Sequence, residues 1–144
     1  MILKQISVFV ENRYGALRDV TKILADASVN IRAISVADST DFGVVRLIVD
    51  KRKDALAAFR DNNMTVKETD VLALASEDKP GALYKALTVL SENKILIEYS
   101  YGFVSPVDNN AVIILKCDDM QRTHDCLEKS GFRMLTADEV KFEK

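Results

Sequence analysis

The chain has 144 residues, which as a prior indicates one domain, and its formal net charge is −2. Its 20 Lys and Arg residues face 22 Asp and Glu residues, which argues against nucleic-acid binding because that role needs a surplus of positive charge. No apolar run approaches the roughly 20 residues that span a bilayer, and residues 1–5 lack the apolar stretch of a signal peptide. We therefore expect a cytoplasmic protein with no membrane partner.

Potential nucleophiles and metal ligands are few and scattered. Cys117 and Cys126 are the only cysteines, without CxxC spacing, and His124 is the only histidine. We expect two reduced, buried thiols and neither a metal nor a cofactor. The sequence has no phosphate-binding loop and no nucleophile paired with a base, so we do not predict an enzyme.

The first predicted elements are a strand, a turn and a helix. Ile6, Val8 and Val10 alternate with Ser7 and Phe9, and this period of two predicts a strand. A turn follows at residues 11–15. Beyond it, apolar positions recur at i, i+3, i+4 and i+7, the pattern of a helix with one buried face. Those positions are Leu17, Val20, Thr21 and Leu24.

Two strands, a helix and a further extended segment complete the first half of the chain. Residues 31–37 and 44–50 are rich in Ile and Val, and the polar segment between them predicts a hairpin. Asp50 is expected to cap a second helix, which places Leu56 and Phe59 in the core. Residues 64–70 resume an extended pattern.

The second half repeats this order. Its predicted elements are a strand near 71–76, a helix carrying Leu83, Leu87 and Leu90, strands near 96–104 and 111–117, a helix near 119–130 and a last strand near 134–143. The β-α-β-β-α-β order is that of a ferredoxin-like unit. We therefore predict an α+β fold of two ferredoxin-like lobes in tandem, with antiparallel sheets and helices on one face.

A direct repeat supports the two lobes. Residues 11–17 read ENRYGAL and residues 77–83 read EDKPGAL, a shift of 66 positions that is too long for a solenoid repeat. We place the lobes at 1–70 and 71–144. Both lobes claim residues 64–76, so either one long strand serves both sheets or the terminal strands are exchanged between the lobes.

The turn at residues 12–17 suits a small zwitterion. A helix N-terminus offers unpaired N–H groups and partial positive charge, which favour a carboxylate. Gly15 has no Cβ, so a ligand can approach the backbone, and the amide of Asn12 can donate and accept. Asn and Gly are also common cap and turn residues, so a purely structural turn is the alternative.

Residues 10–31 resemble an ACT domain, the small regulatory module that binds amino acids. The resemblance rests on the segment VENRYGALRDVTKILADASVNI, which is similar to the ACT domain of phosphoglycerate dehydrogenase. In that family, two asparagines contact the amino acid across a side-by-side pair of domains, and the matching positions are Asn12 and Asn30. Val10 and Tyr14 stand where the family pattern has histidine and proline, so serine is not implied as the ligand.

The resemblance implies two unlike sites if the lobes pair side by side. The first would contain Asn12, Arg13, Tyr14, Gly15, Ala16 and Leu17, closed by Leu96, Tyr99 and Tyr101 of the other lobe. The second would join Asn30 to Asp78, Lys79, Gly81 and Ala82. For the two tyrosines, packing in the core or at the lobe interface is the alternative.

The predicted function is that of a sensor. It would bind a free amino acid between ACT lobes and report it to a regulated enzyme or a transcription regulator. The alternative is a structural or oligomerising ACT subunit that has lost the ligand. Unpaired sheet edges also predict a homodimer.

Overall fold

The computed structural model describes residues 2–39, 41–105 and 110–141. Its elements in chain order are β1 (Leu3–Glu11), α1 (Ala16–Asp26), β2 (Ile31–Asp38), β3 (Phe42–Val49), α2 (Arg52–Asp61), β4 (Thr65–Ser76), α3 (Ala82–Glu92), β5 (Ile97–Val104), β6 (Ala111–Cys117), α4 (Met120–Lys129), β7 (Arg133–Met134) and α5 (Ala137–Lys141). Contacts divide the chain into two compact units, residues 4–69 and, chiefly, residues from 70 onward. The division falls within β4.

The first unit has the strand order β2-β3-β1-β4. β3 lies antiparallel to both of its neighbours, with Val8 opposite Val45 and Leu47 opposite Ile34. Alternate residues of β1 and β3 bury against α1 and α2, so both helices cover the same face of the sheet. The core residues include Ile6, Val8, Val20, Leu24, Val45, Leu47, Leu56 and Phe59.

The second unit has the equivalent strand order, β5-β6-β4-β7. Residues 72–76 of β4 pair antiparallel with β6, and residues 74–75 pair antiparallel with β7. The core again joins one sheet face to two helices. Its residues include Leu72, Leu74, Ala86, Leu90, Leu115, Cys117 and Leu127. The predicted pair of ferredoxin-like lobes is therefore confirmed, while the boundary at residue 70 stays a prediction.

The repeat extends to an irregularity in the sheets. The pairing of β2 with β3 shifts register between Ile31 and Ala33, and the pairing of β5 with β6 shifts between Ile97 and Tyr99. A bulge inserts an extra residue and bends the strand locally. The same bulge at repeat-related positions indicates that the two units share backbone detail as well as topology.

The predicted last strand, 134–143, is wrong over most of its length. β7 ends at Met134, and α5 begins at Ala137; residues 142–143 lie outside the described residues. The Glu139 N–H donates to Thr136 Oγ1 at 3.2 Å, and the Thr136 N–H donates to Glu139 Oε1 at 3.1 Å. This reciprocal pair is a capping box, which starts a helix.

Three smaller expectations also fail. Asp50 does not cap α2, because its carboxylate accepts the N–H of Asn30 at 2.9 Å. Leu17 is 41% exposed, and Leu83 is 38% exposed. Val20 and Leu24 are buried as predicted, and Ala16 rather than Leu17 completes the buried stripe of α1. Both cysteines are free thiols as expected, but only Cys117 is buried, and Cys126 is half-buried. Burial raises the pKa of the Cys117 thiol.

Candidate functional site

The turn between β1 and α1 is built around Gly15. Its φ of +80° lies in the left-handed region that glycine tolerates. The Arg13 N–H donates to the Glu11 carbonyl at 3.0 Å, and the Ala16 N–H donates to the Arg13 carbonyl at 3.2 Å. No side chain caps α1.

The N-terminus of α1 has unused donors. Among the described residues, the N–H groups of Gly15, Leu17 and Arg18 have no hydrogen-bond acceptor. A Cβ placed on Gly15 would meet no atom within 4 Å, so the space beside this turn is open. Unpaired N–H groups at a helix start can bind an anion.

Asn12 ties the turn to the hairpin between β2 and β3. Its Nδ2 donates to the Ser39 carbonyl at 2.6 Å, and its N–H donates to the Asp41 carbonyl at 3.2 Å. A Cβ on Gly43 would lie 3.2 Å from Asn12 Oδ1. Asn12 is therefore not the cap of α1, and its amide group is held in a fixed orientation.

The remaining residues of the first turn are largely exposed. Arg13 forms an ion pair with Asp19, with 2.9 Å between Nη2 and Oδ2, and a longer hydrogen bond of 3.3 Å to the Tyr14 carbonyl. The hydrogen bond from Arg13 is the largest influence that lowers the pKa of the Asp19 carboxyl. Tyr14 is fully exposed, whereas Ala16 is buried.

The turn between β4 and α3 has the same backbone. Gly81 has a φ of +86°, the Lys79 N–H donates to the Glu77 carbonyl at 3.0 Å, and the Ala82 N–H donates to the Lys79 carbonyl at 3.3 Å. The ammonium group of Lys79 pairs with the Glu77 carboxylate and lowers its pKa. α3, like α1, has no side-chain cap.

Asn30 and Leu96 occupy equivalent positions before β2 and β5. The N–H of each donates to an aspartate carboxylate, Asp50 at 2.9 Å and Asp118 at 3.1 Å. β1 and β2 are both next to β3 and antiparallel to it, so they run parallel to each other. Asn12 follows β1 and Asn30 precedes β2, and the two asparagines therefore lie at opposite ends of the sheet of the first unit. No single unit brings a turn together with the residue that precedes the second strand.

Tyr99 and Tyr101 lie on the sheet face that points away from the helices. Their cross-strand partners in β6 are Lys116 and Ile114, whereas Leu115 of β6 belongs to the helix-facing core. Both tyrosines are half-buried. This agrees with the alternating pattern of β5, but it does not test a role in binding.

Each unit contains a pocket beside its turn. The first has a volume of about 270 Å³ and is lined by Phe9, Val10, Glu11, Arg13, Ala16, Asn63, Met64 and Thr65. The second, of about 320 Å³, is lined by Ala75, Ser76, Glu77, Lys79, Ala82, Lys85, Asn110, Gly131, Phe132 and Arg133.

Of the residues that line these pockets, Arg13, Ala16, Lys79 and Ala82 were predicted as site residues from the sequence, and the others were not. The missed residues include those of the segment that follows the second helix of each unit, residues 63–65 and 131–133. A further alignment of the halves at a shift of 68, which matches Met64 with Phe132, was the available signal.

Over residues 2–39, 41–105 and 110–141, no group of three or more His, Cys, Asp or Glu residues could hold a metal ion. His124 lies in α4, 3.3 Å from both Asp125 and Glu128. In the same part of the chain, no helix is long and apolar enough to cross a membrane.

A family model described as an ACT domain pair matches residues 1–141. The chain belongs to the ACT domain family. The resemblance seen in residues 10–31 is thereby confirmed, and it extends over both halves of this ACT domain pair.

The ACT domain pair is also similar to several solved structures. Protein BT0572 from Bacteroides thetaiotaomicron is 35% identical, with a TM-score of 0.91 over 98% of this chain and 96% of that chain. The ligand-free regulatory subunit of aspartate kinase from Thermus thermophilus is 11% identical, with a TM-score of 0.61 over 91% of this chain and 97% of that chain. At 11% identity the likeness concerns the fold alone. No curated protein matches the chain.

Proposed function

We propose that this ACT domain pair is a regulatory protein that binds a free amino acid at the turn formed by residues 12–17. The observation that carries the proposal is the open, uncapped N-terminus of α1, where the N–H groups of Gly15, Leu17 and Arg18 have no acceptor among the described residues. ACT domains as a family are amino-acid-binding regulatory modules, and a regulatory subunit of aspartate kinase shares the fold.

The amino acid would be held through its two charged groups. We assign its carboxylate to the backbone N–H groups of Gly15 and Leu17, where the partial positive charge of the helix end adds to the attraction. We assign its ammonium group to Oδ1 of Asn12. The bond from Asn12 Nδ2 to Ser39 fixes the orientation of this amide, so little side-chain freedom would be lost on binding.

The other parts of the site stay predictions. Leu96, Tyr99 and Tyr101 are expected to complete the first site, and Asn30 is expected to join the turn of Asp78, Lys79, Gly81 and Ala82 in a second. A ligand that favours one arrangement of the protein over another would shift the population toward it, and a regulated enzyme or a transcription regulator would sense that shift. A ligand-free structural ACT subunit is the alternative.

The test begins with a thermal-shift screen of the twenty amino acids, followed by calorimetric titration of the best ligand. Asn12→Ala would remove a hydrogen bond to a charged group, worth roughly 1.5–3 kcal/mol, so affinity should fall about tenfold to a hundredfold. Gly15→Val should weaken binding further, because its side chain would enter the open space beside the turn.

Gly81→Val is the matched control, since it places the same side chain on the equivalent left-handed glycine of the other turn. It should leave binding at the first turn unchanged. If Asn12→Ala and Gly15→Val both fold and bind the amino acid as tightly as the parent protein, the binding site lies elsewhere. If none of the twenty amino acids shifts the melting temperature, the ligand-free structural alternative is favoured.

A further inference from the structure

The two pockets are equivalent under the internal repeat. They occupy the same place in each unit, between the turn and the segment that follows the second helix. Their matched lining residues include Glu11 and Glu77, Arg13 and Lys79, Ala16 and Ala82, Met64 and Phe132, and Thr65 and Arg133. Differences between matched positions therefore show how each pocket has specialised on a common backbone.

The pocket of the second unit is the more cationic one. Among the residues that the structure describes, Lys79, Lys85 and Arg133 line it together with one carboxylate, Glu77. Of the described residues that line the pocket of the first unit, only Arg13 and Glu11 are charged. Glu139 matches Arg133 from outside the lining and Glu77 matches Lys79, so Lys85 leaves the described part of the second pocket with a surplus positive charge that the first lacks.

Lys85 is the main source of this surplus. At the shift of 66, Lys85 stands where the first unit has Asp19, and Asp19 there neutralises Arg13 through the 2.9 Å ion pair. In the part of the chain that the structure describes, no ion pair or hydrogen bond is formed by the Lys85 ammonium group. Its charge acts on Glu77 at longer range.

The other two cations have protein partners. Lys79 pairs with Glu77, and Arg133 pairs with Glu139 of α5, which is outside the pocket lining. Arg133 takes the place of Thr65, an uncharged residue, in the first pocket.

The remaining wall offers an amide side chain and an apolar surface. Asn110 and Phe132 line the pocket, and its volume of about 320 Å³ is within the roughly 300–1,000 Å³ usual for ligand sites. A small molecule with two negative charges fits this chemistry better than a zwitterion does. The ammonium group of a zwitterion would be repelled by the ammonium group of Lys85.

We propose that this pocket binds a small dianion, a dicarboxylate or a phosphate, in place of the second amino acid expected at the turn of Lys79 and Ala82 and distinct from the amino acid assigned to residues 12–17. The pocket lies beside residues 131–133 around β7, whereas the turn at residues 12–17 belongs to the first unit. The first unit's own pocket, with one cation matched by one carboxylate, does not bind this class of ligand.

The test titrates the full chain at low salt with two probes, succinate and inorganic phosphate, and follows backbone amide shifts by NMR. Shifts should concentrate at Ala82, Phe132 and Arg133. Lys85→Asp and Arg133→Thr each install the residue of the first unit, and each should weaken binding by about tenfold or more through a lost charge-assisted contact. The stronger probe identifies which dianion is preferred.

Lys53→Asp is the matched control. It makes the same charge change on α2, at an exposed position outside the pocket, and it should leave binding nearly unchanged. If Lys85→Asp does not fold, Lys85→Ala replaces it in the binding measurement. Failure of the parent protein to bind either probe, or equal losses in Lys53→Asp and Lys85→Asp, would overturn the proposal. Asn12→Ala should not affect dianion binding, so this proposal and the amino-acid site can fail independently.

Discussion

The turns before α1 and α3 have nearly the same backbone and different side-chain chemistry. Both place a left-handed glycine at the helix start, and both share three equivalent backbone hydrogen bonds. Yet the first fixes Asn12 against the hairpin and pairs Arg13 with Asp19, whereas the second replaces those residues with Asp78, Lys79 and Lys85.

This comparison separates what the fold supplies from what the sequence adds. Both units provide helix N–H donors because their backbones agree, and such donors attract anions of many kinds. The charges placed around them differ. A balanced first turn suits a zwitterion, and a cationic second pocket suits a dianion.

The largest expected effect concerns the two cores. Phe59 and Leu127 are related by the shift of 68, and both are completely buried on the second helix of their unit. Phe59→Ala should lower the free energy of unfolding by about 3–5 kcal/mol, and Leu127→Ala by about 2–5 kcal/mol, because each leaves a cavity. Urea unfolding followed by circular dichroism measures both.

Exposed Lys53→Ala is the reference for this pair and should change stability by no more than about 0.5 kcal/mol. A cost below about 1 kcal/mol for either core variant would contradict the equivalence of the two cores.

A second comparison concerns the edge strands. β2 and β5 end the strand order of their units, but β2 exposes Ile34 and Val36, the latter by 53%, where β5 has Ser100 and Gly102. An unpaired edge with apolar side chains is a pairing surface. We therefore expect the homodimer to form through β2.

Val36→Lys should raise the dimer dissociation constant by about tenfold or more, because association would bury an unpaired ammonium group. Sedimentation velocity measures the change, and Ser100→Lys on β5 is the control that should keep the parental value. A parent protein that is monomeric at micromolar concentrations would remove the dimer altogether.

Periodicity and the repeat were enough to predict the fold, because each strand and helix core is encoded by apolar spacing within its own unit. Residues 134–143 show where this fails. Their apolar residues were compatible with a strand, but the capping box of Thr136 and Glu139 starts a helix there. The predicted buried stripe of α1 was right at Val20 and Leu24 and wrong at its start, where Ala16 and not Leu17 faces the core.

The candidate site was predictable only in part. The turn has a sequence signature, because Gly15 and Gly81 are needed for its left-handed backbone. The hydrogen bond from Asn12 to Ser39 joins residues 27 positions apart, and no local pattern encodes it. The pockets likewise depend on segments 63–65 and 131–133, which approach the turns only through folding.

The smallest expected effect is electrostatic and distinguishes the two turns directly. The Arg13 guanidinium holds the pKa of the Asp19 carboxyl below its usual range. A carboxyl whose pKa is lower in the folded state contributes stability above its unfolded pKa and loses that contribution as the pH falls through the folded value. The Arg13 side chain is exposed and that of Asp19 is partly exposed, so solvent screens the pair, the gain is small, and Asp19→Asn should barely change stability at pH 7.

The pKa itself is the sharper readout. In an NMR titration, Arg13→Ala should raise the pKa of Asp19 toward its usual value, and Lys79→Ala should do the same for Glu77 because Lys79 is its main partner. Lys85→Ala should raise the pKa of Glu77 less, since its charge acts without a hydrogen bond. If Lys85→Ala raises it as much as Lys79→Ala does, Lys85 pairs with Glu77 in solution, and the surplus charge assigned to the second pocket is smaller than the geometry indicates.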